Sequence, residues 1–123
     1  MKFGTYFKKE RESRKITQQM AAEALGKTTM MISGVESGKN GPFSEKDLKK
    51  LSILLNLDEK EQKEMLWVAA RERGKMPNYL NEYLDEHKEL IELLDRIATN
   101  KLNTNELKEI IDYIDEINEV KHV

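Results

Sequence analysis

The sequence predicts an all-α protein: a head of five helices followed by a C-terminal helical hairpin. Three observations lead there. Apolar residues recur at helical spacing along almost the whole chain, and no window alternates polar and apolar residues for long. Helix-start residues (Thr17, Thr28, Ser44, Asp58 and Asn103) precede successive apolar runs. The pattern and the charge balance both change at "GKMPNY", around Pro77. Residues 1–77 hold 16 Lys and Arg against 11 Asp and Glu, whereas residues 78–123 hold 5 against 12. A basic head, residues 1–76, is therefore expected to join an acidic tail, residues 77–123.

The first helix should run from Phe3 to about Ser13. Phe3, Tyr6 and Phe7 stand at i, i+3 and i+4 and should point inward. Thr17 should cap a second helix, Gln18 to Leu25, with Ala21, Ala22 and Leu25 on a narrow apolar face. Gly26 supplies the permissive backbone for a tight turn. Thr28 should cap a third helix to Ser37, with Gly38 at its C-terminal end. Ser44 and Asp47 resemble a capping box that opens a fourth helix with Leu48, Leu51, Ile53, Leu54 and Leu55. Asp58 and Glu61 make a similar start for a fifth helix that buries Met65, Leu66, Val68 and Ala69 and ends near Gly74. Trp67 is expected to pack beside that core. A sixth helix should run from Tyr79 to about Ala98, and Asn103 with Glu106 should open a seventh. His87, between Leu84 and Leu90, is expected to be partly buried and hydrogen-bonded.

Composition narrows the function classes. There is no Cys, so disulfides and thiol chemistry are excluded. His87 and His122 lie far apart and without a ligand spacing, so no metal site is expected. No apolar run approaches the ~20 residues of a membrane span. The N-terminus "MKFGTYFKKERES" lacks the apolar core of a signal peptide. A cytoplasmic protein that does not enter the membrane is the expectation. No nucleophile with its base, no metal cluster and no phosphate-cradling glycine loop is visible, so neither catalytic residues nor a cofactor are expected.

The segment "ITQQMAAEALGKTTMMISGVESGK" resembles the helix-turn-helix of the Cro/phage-repressor family, also called the xenobiotic-response-element type. The matching positions are Thr17-Gln18, Ala22, Leu25-Gly26, Thr28, Ile32-Ser33, Val35-Glu36 and Gly38-Lys39. With its flanking helices the resemblance covers residues 1 to about 70. It implies a five-helix, repressor-like head that binds double-stranded DNA and inserts its third helix into the major groove. Ile32 and Val35 should face the core. The face that the family turns to base edges then carries Thr29, Met30, Ser33 and Gly34. Gln18, at a helix N-terminus, is a candidate phosphate contact. Thr28, Ser37, Lys39 and Asn40 are the others, with Lys39 and Asn40 on the loop after the third helix. In the family an Arg in the first helix often pairs with the Glu that Glu36 matches. Arg11 is the candidate here, a structural role and not a catalytic one.

The reading face contains no Arg, Gln or Asn, the side chains that pair bidentately with guanine or adenine. Met30 and Thr29 offer methyl groups suited to thymine, and Ser33 and Thr29 offer hydroxyls. Met31 is expected to pack, while Met30 faces the groove. Phosphate clamping, DNA shape and two half-sites read by a dimer could supply the remaining selectivity.

The tail has more apolar surface than two short helices can cover. Leu84, Leu90, Ile91, Leu94 and Ile97 on one arm, and Leu107, Ile110, Ile111, Ile114 and Ile117 on the other, are the candidate dimerisation residues. Two hairpins packed together would form a four-helix arrangement. The alternative is a hairpin that only folds back on the head. Two functional readings follow. The first is a sequence-specific transcriptional regulator, a repressor on a palindromic operator, acting as a homodimer. The second is an antitoxin-like or antirepressor-like adaptor that uses the same fold to bind a regulatory protein partner.

Overall fold

The computed structural model describes residues 2–122, and among these every regular element is a helix. The helices are α1 (Phe3–Ser13), α2 (Gln18–Leu25), α3 (Thr29–Ser37), α4 (Glu45–Leu54), α5 (Glu59–Arg73), α6 (Asn78–Glu86), α7 (Lys88–Thr99) and α8 (Thr104–Lys121). The chain divides into two compact units, one ending at Asn81 and one starting at Glu82.

Local chemistry starts most of the helices in the first unit. The hydroxyls of Thr17, Thr28 and Ser44 accept from the backbone N–H three residues on, which satisfies one open donor of each helix. Asp58 and Glu61 form a reciprocal capping box on α5. Asp47 does not return the bond to Ser44; its shorter side chain lies 3.5 Å from Lys27 instead.

The core of the first unit is continuous. Phe3 and Phe7 on α1 meet Phe43 edge-on, with ring centroids 5.8 and 5.3 Å apart. Ile32, Leu48, Leu51 and Met65 are fully buried around them. Phe43 and Leu57 enter the core from loops, where helical periodicity gives no warning of burial. Gly4 lets α1 approach the end of α3. A Cβ there would overlap the carbonyl oxygen of Val35 and lie 2.7 Å from that of Glu36. Arg14, at the C-terminal cap of α1, joins that helix to α5, binding Glu10 of α1 and Glu61 at 2.8 Å. Leu48, Leu51 and Ser52 define the inward face of α4, which leaves Ile53 82% exposed. The expected packing of Trp67 fails. Trp67 is 37% exposed, because Met65, Ala69 and Ala70 take the inward positions of α5.

The second unit departs further from expectation. The helix expected from Tyr79 to Ala98 is broken at His87, whose backbone (φ −132°, ψ 89°) is not helical. His87 is exposed, not partly buried. Its ring stacks on Tyr83 with centroids 4.2 Å apart, and its Nδ1 lies 3.2 Å from the Tyr83 carbonyl oxygen. Asn103 and Glu106 form the reciprocal box that opens α8. No described residue of α6, α7 or α8 is fully covered by its neighbours. Ile91, Leu94, Ile111 and Ile114 are 46–56% exposed.

Tyr6 offers a stability test for the first unit. Burial, assisted by Glu10 and then Glu64, raises its hydroxyl from 10.0 to about 12. The folded state thus favours the neutral phenol. Its contribution is complete below the unfolded value near 10 and is lost as pH rises through about 12. In chemical denaturation between these pH values, Tyr6→Phe should lose less stability than the wild type. Equal losses would show that another group controls the alkaline limit.

Candidate nucleic-acid interface

Helices α2 and α3 form the central feature of the first unit. Gly26 joins them with φ +66°, and Gly38 ends α3 with φ +83°, a region that side chains with a Cβ rarely adopt. Ile32 and Val35 bury the inner side of α3. The outer side carries Thr29, Met30 and Ser33, all exposed, with Met30 reaching 81%. Met31 was expected to pack, but it is 45% exposed at the edge of the same face.

A buried ion pair fixes the tilt of α3. Arg11 Nε donates to Glu36 Oε2 at 2.7 Å, and Arg11 Nη2 donates to Oε1 at 3.0 Å. The two side chains are 9% and 4% exposed. Arg11 Nη1 also donates to the carbonyl of Ile16 at 2.8 Å, which ties in the turn before α2. The hydrogen bond with Glu36 raises the Arg11 pKa above its ordinary value despite burial, so the guanidinium stays charged.

Gln18 belongs to this network. Its Nε2 donates to Glu36 Oε1 at 3.1 Å, which turns the amide inward and away from the open position expected of a phosphate contact. The Glu36 carboxylate therefore accepts from α1 and α2 together. Thr28 uses its hydroxyl as the α3 cap, and Ser37 donates to the Gly34 carbonyl at 3.1 Å. Both residues remain exposed, as do Lys39 and Asn40.

Gly34 does not lie on the open reading face. It is buried, and a Cβ there would overlap the carboxamide nitrogen of Asn40. The vacant side-chain volume is thus filled by the following loop and not left open to a groove. A glycine in the middle of a short helix is unfavourable by about 1 kcal/mol relative to alanine. That cost is the available sequence signal for a close approach, although it does not identify the approaching residue.

The loop is held at both ends. The Asn40 N–H donates to the Gly34 carbonyl at 2.9 Å. Arg73 on α5 donates to the Pro42 carbonyl at 2.7 Å and also binds the carbonyl of Phe43, whose ring is in the core. Arg73 and Phe43 have no helix-turn-helix spacing to mark them. Met30, Met31, Ser33, Ser37, Lys39 and Asn40 surround a shallow open depression of about 300 Å³.

The arrangement suits insertion of a rigid short helix into a groove. A helix-turn-helix family model matches residues 7–62, which include both helices and their flanks. No curated protein and no solved structure matches the chain.

A double-mutant cycle on Arg11→Ala and Glu36→Gln should reveal strong coupling. Removing one partner of such a buried pair costs about 3–5 kcal/mol, because the other charge is left uncompensated. Independent effects in urea unfolding would mean that the pair does not restrain α3.

Proposed function

We propose that residues 7–62, which match a helix-turn-helix family model, form a DNA-reading head of the Cro/phage-repressor type and that the protein is a sequence-specific DNA-binding regulator. In this reading it is a repressor that occupies a palindromic operator as a homodimer. The observation that carries the reading is the α3 face, with Thr29, Met30 and Ser33 exposed on a helix whose opposite side is clamped by Arg11 and Glu36. Thr29 and Met30 supply methyl groups for thymine, and the hydroxyls of Thr29 and Ser33 serve base edges of either type. Lys39 provides a phosphate contact beside α3, with the exposed Thr28 and Ser37 flanking it. Repression needs only that an occupied operator exclude another protein.

The excess of basic over acidic residues in 1–77 supports a large phosphate contribution. Selection from random duplexes should enrich a palindrome. Binding to that site should fall steeply with salt, and Lys39→Ala should reduce the slope of log affinity against log salt by roughly 0.9. No enriched duplex, or binding indifferent to salt, would refute the DNA-reading assignment.

Dimerisation is assigned to the second unit. Leu84, Leu90, Ile97 and Ile110 are half-buried, and Ile91, Leu94, Leu107, Ile111, Ile114 and Ile117 are exposed. Covering a Leu or Ile side chain contributes about 1.5–3 kcal/mol, whereas association costs about 4–15 kcal/mol in lost freedom. Several of these residues must therefore be covered at once, which an extended face permits. A second copy offers the same stripe in a closed, isologous contact. Ile114→Glu should convert a dimer to a monomer in sedimentation at micromolar concentration while leaving the melting of the first unit unchanged. A monomeric wild type, or an Ile114→Glu protein that remains dimeric, would remove the assignment.

The adaptor reading draws on Met30 and Met31, two flexible apolar side chains exposed on α3. It gains weight only if the duplex selection yields no site.

A further inference from the structure

We infer that Asn40, on the loop after α3, reads a base edge and supplies the bidentate recognition that α3 itself lacks. The inference rests on the DNA-binding reading above and extends it to a residue whose position suggests only a phosphate contact.

Three observations support it. The first is the fit between Gly34 and Asn40. The Asn40 carboxamide occupies the space that any side chain at position 34 would fill. It lies against α3 beside Met30 and Met31, one turn before Gly34, and Ser37, one turn after it. In effect the amide stands in for a residue of the helix.

The second observation is that the loop backbone is pinned while the amide remains available. The Asn40 N–H is bound to Gly34, and Arg73 holds the carbonyls of Pro42 and Phe43. Among the described residues, no side-chain hydrogen bond engages the Asn40 carboxamide, whereas the neighbouring Ser37 hydroxyl is committed to Gly34. The carboxamide has no side-chain hydrogen-bond partner on this fixed backbone, and turning its Nδ2 off the Gly34 surface would let it bind adenine through N6 and N7.

The third observation is the composition of the surrounding surface. The depression that Asn40 borders is also lined by Met30, Ser33 and Lys39. Apolar methyl contact, hydroxyl, amide and cation thus converge within one groove-sized surface. The nearby amide of Gln18 is turned inward, with its Nε2 donating to Glu36.

The test compares wild type, Asn40→Ala and Gly34→Ala, using random-duplex selection, salt titration on the selected duplex and thermal melts. Gly34→Ala is informative because its methyl would displace only a side-chain amide, leaving the Asn40 chemistry present but moved. Neither variant should melt below wild type, and Gly34→Ala should gain from the helix preference of alanine. Both should lose preference for an adenine at the same position in each half-site, by roughly five- to hundred-fold, while the other positions persist. Replacing that adenine with 7-deazaadenine, which lacks the N7 acceptor, should weaken wild type and leave Asn40→Ala unaffected. Uniform weakening on all sequences with a shallower salt slope would make Asn40 a phosphate contact and overturn the inference. An unchanged motif in both variants would also overturn it. A wild type that enriches no duplex would instead bring down the DNA-binding reading, and this inference with it.

Discussion

The Arg11–Glu36 pair is the interaction on which the first unit depends. Helix α3 has 9 residues, too few to persist without tertiary support. Its inward side offers only Ile32, Gly34 and Val35. Such a small apolar face can seat a helix but leaves its rotation loosely determined. The bidentate bond from Arg11 supplies an orientation that hydrophobic contact cannot, because two parallel N–H···O bonds fix direction as well as distance. Burying both charges is expensive. The arrangement offsets that cost by satisfying them fully: Glu36 also accepts from Gln18, and Arg11 also donates to Ile16. Gly4 completes the constraint by allowing α1 to approach the final turn of α3.

What the sequence made legible was whatever local chemistry determines. The caps at Thr17, Thr28 and Asp58, and the positive-φ turn at Gly26, depend on residues within four positions of one another, and the structure has each of them. The Arg11–Glu36 pair is a longer-range feature, and it was legible only through the family resemblance. The failures are tertiary. Trp67 is apolar, yet it lies off the inward face that Met65, Ala69 and Ala70 give α5. Gln18 satisfies the pattern of a phosphate contact, but a buried carboxylate within reach captures its amide. Gly34 gave the appearance of an open backbone because the residue that fills its space comes from a loop. The break at His87 has no proline or glycine to announce it; the ring of His87 turns back to Tyr83 instead.

The two units solve different problems with the same secondary structure. The first buries aromatic and aliphatic side chains in a closed core. The second presents amphipathic helices with no fully covered residue, together with a strong excess of acidic side chains. On the proposed reading the two properties are complementary. Apolar stripes favour association with a like surface, while negative charge disfavours contact with phosphate. Pairing two heads raises the effective concentration of the second once the first is bound. A head with few bidentate base contacts benefits from that gain more than one rich in them.

The remaining question is how such a head could discriminate among sequences. Affinity and discrimination need different mechanical properties. Met30 is exposed and has three freely rotating bonds, so on the proposed reading it adjusts to several base edges and adds contact without strong preference. An amide on a pinned backbone behaves differently on that reading, because a wrong base leaves its donor or acceptor unpaired in a desolvated groove, which costs about 1–3 kcal/mol. The loop backbone that carries Asn40 is held at three points, by Phe43 in the core, by Arg73 of α5 and by the Gly34 carbonyl of α3. On the proposed reading the flexible part of the reading surface lies on the helix and the selective part on the loop, with both referred to one frame by the Arg11–Glu36 clamp.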